Sequence, residues 1–214
     1  MTQKPIKAKT IVDRQVPSTP TISTDGRLVA FTVAPYGYKG EHPKRAIWLS
    51  RDGQPAKQFT SGTGVDSNPV FSPDGAKLAF LSNRNDDEKT EIFTISLDGG
   101  EATKFGTLKG ELDSLKWSPD GSALSVLRRQ SETKKRKKRN EKRDDAVVVD
   151  GEPRYNRIFA LDAESGKKHE VDSGKREIWD YAWSPDSSQL AYVTAEEIGE
   201  DAPMLRGDVW IAGR

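Results

Sequence analysis

Few side chains in this sequence could do chemistry unaided. The two histidines, His42 and His169, stand in a turn (Gly40-Glu41-His42-Pro43) and in a polar strand after Gly166. Neither has an evident partner at the spacing a catalytic triad or a metal site needs, so both are expected at the surface. Cysteine is absent, which excludes disulfides, thiolate zinc sites and a cysteine nucleophile. No Gly-x-Ser-x-Gly pentapeptide occurs, so no nucleophile elbow is expected. Asp86, Asp87 and Glu88 cluster without the alternating ligand pattern of an EF-hand and are expected in a solvated loop. Neither catalytic residues nor a metal or other cofactor is expected. Trp117, Trp179, Trp183 and Trp210 could stack on a ligand, although Trp117 and Trp183 share one repeat position, which favours core packing. The stretch Tyr36-Gly37-Tyr38-Lys39-Gly40 combines aromatics, a cation and flexible glycines. Tyr36, Tyr38 and Lys39 are therefore the candidates for touching a ligand or a neighbouring domain.

Charge is balanced overall, with 34 basic against 33 acidic residues, but it is not spread evenly. Lys134 to Arg143 reads KKRKKRNEKR; without it, 26 basic residues face 32 acidic ones. A nucleic-acid tract usually has aromatic or base-reading companions, and none lies within this run. An extended, self-repelling loop answered by Asp144, Asp145 and Asp150 is the preferred reading, and nucleic acid is not an expected partner. The 214 residues hold one or two domains, and 34% hydrophobic content with five Trp, five Tyr and seven Phe can fill a core. No stretch approaches the roughly 18 apolar residues of a membrane span. No apolar run follows Met1-Thr2-Gln3-Lys4 as a signal peptide would require, so a soluble, cytoplasmic protein is expected.

Any chemistry must be held by elements that repeat. Pro20-Thr21-Ile22-Ser23-Thr24-Asp25-Gly26, Pro69-Val70-Phe71-Ser72-Pro73-Asp74-Gly75, Leu115-Lys116-Trp117-Ser118-Pro119-Asp120-Gly121 and Tyr181-Ala182-Trp183-Ser184-Pro185-Asp186-Ser187 align, each followed by an apolar strand. The turn aspartates at 25, 74, 120 and 186 are 49, 46 and 66 residues apart. The long interval contains the basic run, and removing an insertion of about 20 residues restores one period. Proline presets φ for a type I turn, aspartate tolerates the next position, and glycine takes the left-handed one, closing a tight hairpin with a bulge. Thr24 replaces the proline at little cost. Ser187 replaces the glycine, so it must accept the left-handed region or change the turn.

A second hairpin follows each first one: Ile47-Trp48-Leu49 to Ala56–Thr60 around Asp52-Gly53, Ile92–Leu97 to Ala102–Phe105 around Asp98-Gly99-Gly100, and Arg157–Leu161 to Lys168–Val171 around Ser165-Gly166. The fourth unit begins one at Asp208-Val209-Trp210-Ile211. Four strands every 45 or so residues is the sequence form of a β-propeller blade. The expected fold is all-β, about four blades of four antiparallel strands. Residues 1–19 are a lead-in; the blades cover 20–62, 66–106, 112–172 with a charged insertion at 131–150, and an incomplete 177–214. An open array would leave the outward faces of the first and last blades in water. The chain then closes as a small ring, pairs with another chain, or is the front of a longer, truncated propeller, and the end inside a hairpin favours the last.

The repeat resembles those of TolB-like proteins and of the N-terminal propeller of the prolyl oligopeptidase family of serine peptidases. Thr10-Ile11-Val12-Asp13-Arg14-Gln15-Val16 resembles the lead-in of that family's acylaminoacyl-peptidase-like branch, as does Ser72-Pro73-Asp74-Gly75 running to Phe80-Leu81-Ser82-Asn83-Arg84 its second blade. Lys142 to Asp150, followed by Arg154-Tyr155-Asn156, resembles the charged insertion and return strand of its third. TolB itself is periplasmic, which the lack of a signal peptide argues against. The resemblance implies a propeller of about seven or eight blades. It also implies a following α/β-hydrolase domain with a Ser-Asp-His triad, to which the propeller admits only short peptides. The implied partners are a peptide substrate and that hydrolase domain, with self-association through open blade faces as a further expectation. The alternative is a stand-alone propeller module that binds a protein partner and has no enzymatic activity.

Overall fold

The computed structural model describes residues 14–37, 44–133, 154–171, 174, 176–195 and 207–213. Fifteen strands and no helix are found among them. Every sheet is an antiparallel meander. The first holds β1 (Gln15–Ile22), β2 (Leu28–Pro35), β3 (Ala46–Arg51) and β4 (Lys57–Gln58) in sequence order. The second holds β5 (Ser67–Phe71), β6 (Lys77–Ser82), β7 (Thr90–Ser96) and β8 (Thr103–Gly110). The third holds β9 (Leu112–Trp117), β10 (Ala123–Arg129), β11 (Asn156–Asp162) and β12 (Lys168–Glu170). The fourth has three strands, β13 (Glu177–Trp183), β14 (Gln189–Ala195) and β15 (Asp208–Gly213). These are propeller blades, all-β as expected, and they fall into two compact units, Met1–Lys109 and Gly110–Arg214.

The turn between the first two strands of each blade is built by a serine as much as by the aspartate. Ser72 Oγ donates to Asp74 Oδ1 at 2.5 Å and accepts the Lys77 amide at 2.9 Å, while Asp74 Oδ1 also accepts the Ala76 amide at 3.0 Å. Ser23–Asp25, Ser118–Asp120 and Ser184–Asp186 repeat the donation at 2.6 Å. Gly26, Gly75 and Gly121 take the left-handed position at φ 73°, 69° and 73°, and Ser187 takes it at 62°. Ser187 is buried, and its Oγ accepts the Asp120 amide at 3.0 Å, so the missing glycine is offset by a bond to the preceding blade's turn.

The first strand of every blade is bulged, between Ser18 and Thr21, Ser67 and Val70, opposite Ser125 to Leu127 in β9, and between Ile178 and Asp180. Thr19, Asn68 and Ser114 adopt φ 46°, 49° and 52° there. The outer strand of the first blade is shorter than the sequence suggests, since only Lys57–Gln58 continue the ladder. Phe59 leaves it to pack on the core, and Thr60 Oγ1 accepts the Ile47 amide at 2.9 Å.

In the first unit, Ala30, Ile47 and Leu49 of one blade pack on Leu78, Phe80, Phe93 and Ile95 of the next, with the Phe80 and Phe93 rings 5.9 Å apart. Ala79, Leu81 and Ile92, on the opposite face of the second blade, are also fully buried. In the second unit, Leu127 and Ile158 pack on Ile178, Tyr181, Leu190 and Tyr192. The Tyr181 hydroxyl donates to the Ser114 carbonyl at 2.5 Å and lies 3.0 Å from Ser125 Oγ, which accepts Trp183 Nε1–H at 2.8 Å. Burial pushes that phenol well above its ordinary range.

Candidate functional site

In each blade the serine–aspartate turn joins the first strand to the second, so the connection from the second strand to the third lies at the opposite end. In the first blade that connection carries Tyr36. Its amide donates to the Arg14 carbonyl at 2.7 Å, and the residue is 61% exposed. Tyr38 and Lys39 lie outside the described residues, as does His42.

Beside Tyr36 is a cleft of about 290 Å³. The end of β2 (Val33, Ala34, Pro35), the start of β3 (Ala46, Trp48) and Gln58 of β4 supply its walls, and Lys44 and Arg45 supply its charge. Among the described residues its lining contains no carboxylate. The Arg45 backbone is pinned: its amide donates to the Gly64 carbonyl at 3.1 Å and its carbonyl accepts the Asp66 amide at 3.2 Å. Arg45 Nε is shut from solvent without a hydrogen-bond acceptor. Neither Lys44 nor Arg45 forms an ion pair among the described residues. Sequence reasoning passed over both, although a Lys-Arg pair directly before an apolar strand is the signal that marks them.

The adjoining carboxylate is committed elsewhere. Asp66 is fully buried; both its oxygens accept from Arg84 Nη2 at 3.0 Å, and Oδ1 also accepts from Ser82 Oγ at 2.7 Å. The Arg84 guanidinium stacks over Phe80 and Phe93, 5.0 and 4.8 Å from the ring centroids. Two stacked aromatics and a bidentate carboxylate fix that arginine as a structural clasp between the start of β5 and the end of β6.

The other candidates have ordinary roles. His169 is an exposed residue of β12. Asp86 Oδ1 accepts the Glu88 amide at 3.1 Å and Oδ2 accepts Lys89 Nζ at 3.3 Å, a tight turn. The described residues contain no group of carboxylates and histidines that could hold a metal ion. Trp183 is partly buried against the core of the second unit, as its repeat phase predicts. Trp117 and Trp179 bury indole N–H groups that have no acceptor, and Trp210 is covered on one side by the Arg176 guanidinium, 4.1 Å from its ring. The basic run Lys134 to Arg143 lies outside the described residues. No helix of the described residues is long and apolar enough to cross a membrane.

Blades of this topology define the class, and the match to known sequences gives the family. Residues 7–154 fit the family model of the TolB beta propeller domain, and the chain belongs to that family. The uncharacterized peptidase YuxL of Bacillus subtilis is 26% identical over 189 residues, covering 81% of this chain and 28% of that protein. The chain thus spans less than a third of that relative. Among solved structures, the acylaminoacyl peptidase of Pyrococcus horikoshii superposes with a TM-score of 0.66 at 16% identity, over 95% of this chain and 32% of that one. TolB of Acinetobacter baumannii superposes with 0.63 at 18% identity, over 90% and 39%. The solved structures share the fold.

Proposed function

We propose that this chain is the N-terminal propeller part of a cytoplasmic serine peptidase of the prolyl oligopeptidase family, of the acylaminoacyl-peptidase-like kind. It contributes no catalytic residue. Its blades screen peptides by size before they reach a separate α/β-hydrolase domain carrying the nucleophile. The observation that carries this reading is the match of 81% of the chain to 28% of a protein named as a peptidase. Such asymmetry is what a propeller attached to a larger enzyme produces. The lack of a Gly-x-Ser-x-Gly elbow supports a non-catalytic part.

A fluorophosphonate probe tests it. The 214-residue chain is expected to remain unlabelled, while the product of its complete reading frame is expected to take one label that a serine-to-alanine change in the hydrolase domain removes. Labelling of the 214-residue chain, or an unlabelled product of the complete frame, overturns the proposal.

A further inference from the structure

The cleft beside Tyr36 has a composition that selects a ligand. Among the described residues no carboxylate lines it, and that of Asp66, whose amide donates to the Arg45 carbonyl, is already held by Arg84 and Ser82. A guanidinium bordering a cleft, with no carboxylate paired to it among the described residues, is a receptor for an anionic group, which its fork of N–H donors holds by charge-assisted hydrogen bonds. The walls carry the apolar and aromatic side chains of Val33, Pro35 and Trp48 alongside the polar ones of Gln15, Gln58 and Ser61. An inorganic anion would leave those walls unused. A carboxylate joined to an apolar group would use both.

We propose that this cleft binds the C-terminal carboxylate of a short peptide, with Arg45 as the anion receptor, Lys44 as a supporting charge, and Trp48 packing on the terminal apolar side chain. The peptide as ligand class rests on the function proposed above; the carboxylate preference rests on the cleft alone. Both backbone groups of Arg45 are tied to the segment entering β5, so the receptor is held on two blades and starts from a fixed position. Tyr36 stands exposed next to the lining residue Pro35, placed to cover the chain of a bound peptide.

The test is equilibrium binding to the 214-residue chain, by calorimetry, of a tripeptide of two alanines and a phenylalanine, supplied as the free acid and as the C-terminal amide. The free acid is expected to bind about tenfold or more tightly than the amide, as loss of a charge-assisted pair implies. Arg45→Gln is expected to remove that preference, so that acid and amide bind alike, with an unchanged melting temperature showing that the blade is intact. Should Arg45→Gln fail to fold, Lys44→Gln is expected to reduce the preference about threefold, in line with an exposed supporting charge. Inorganic phosphate and acetate are the competing probes. Displacement of the peptide by either at equal concentration shows a free-anion site and overturns the peptide assignment. Equal binding of acid and amide, or binding of neither, overturns the proposal. Binding requires no hydrolysis, so this experiment fails separately from fluorophosphonate labelling of the longer product.

Discussion

Ser187 stands where the other blades have Gly26, Gly75 and Gly121, and it adopts the same left-handed backbone. A residue with a Cβ pays roughly 1 kcal/mol or more for that conformation. Its Oγ answers the Asp120 amide, and leaving a partly buried amide unpaired costs about 1–3 kcal/mol. The two terms nearly offset, which explains how the substitution is tolerated. Ser187→Ala keeps the backbone strain and loses the bond, whereas Ser187→Gly loses the bond and sheds the strain. Urea unfolding is therefore expected to rank wild type and Ser187→Gly close together, with Ser187→Ala less stable than either by about 1 kcal/mol. Equal losses in the two variants would show that the hydroxyl, and not the φ angle, decides the site. This balance was only half legible in the sequence. The missing glycine is visible there, but a bond between residues 67 apart depends on how two blades meet. The Asp66–Arg84 clasp was hidden for the same reason: Phe80 and Phe93 become a stacking surface for Arg84 only once β6 and β7 pair in register.

The repeated element is a serine–aspartate hairpin, and its charge state belongs to the blade. The serine hydroxyl is the largest cause lowering the pKa of each of Asp25, Asp74, Asp120 and Asp186, and a backbone amide two residues on adds to it. A carboxylate whose folded pKa lies below its unfolded value near 3.8 contributes stability that is fully present above that value. The contribution is lost as pH falls through the depressed folded pKa, so the window runs from about pH 5 downward. Asp120→Asn is expected to destabilise at pH 7, and its deficit relative to wild type is expected to shrink when unfolding is repeated near pH 2.5. A deficit that stays constant with pH would assign it to lost packing instead of the carboxylate. The turns and the apolar strands around them were legible because they rest on local rules for proline, aspartate and glycine. The first-strand bulges were not, since Thr19, Asn68 and Ser114 carry no glycine to announce a left-handed residue. The candidate loop begins at the end of the first blade where Tyr36 is exposed, whereas Lys44, Arg45 and Trp48 read as the start of an ordinary strand. Their common cleft exists only after β2, β3 and β4 are laid side by side.

At the scale of the whole molecule, the exposed apolar side chains concentrate on the first and last described strands. Val209, Ile211 and Trp210 of β15 are 73%, 65% and 41% exposed, and Ile22 and Val16 of β1 are 62% and 42% exposed. The pairing register places Val209 and Ile211 on the face of the fourth blade away from Leu190 and Tyr192, which pack within the second unit. β15 pairs only with β14, so its other edge presents backbone N–H and C=O groups with no strand beside them among the described residues. An apolar edge strand of this kind is a template for pairing with a further strand. In dilute solution of the 214-residue chain, the strand available is that of another copy. Sedimentation is therefore expected to show a weight-average mass that rises with protein concentration, together with enhanced fluorescence of a hydrophobic dye. The double change Val209→Lys and Ile211→Lys places two charges on the exposed face while leaving Trp210 against Arg176, and it is expected to return the chain to monomer and suppress the dye signal. A wild-type chain that sediments as a monomer at every concentration and binds no dye would mean that this surface is covered from within the chain, by the same kind of sheet stacking that buries Phe80 and Leu78.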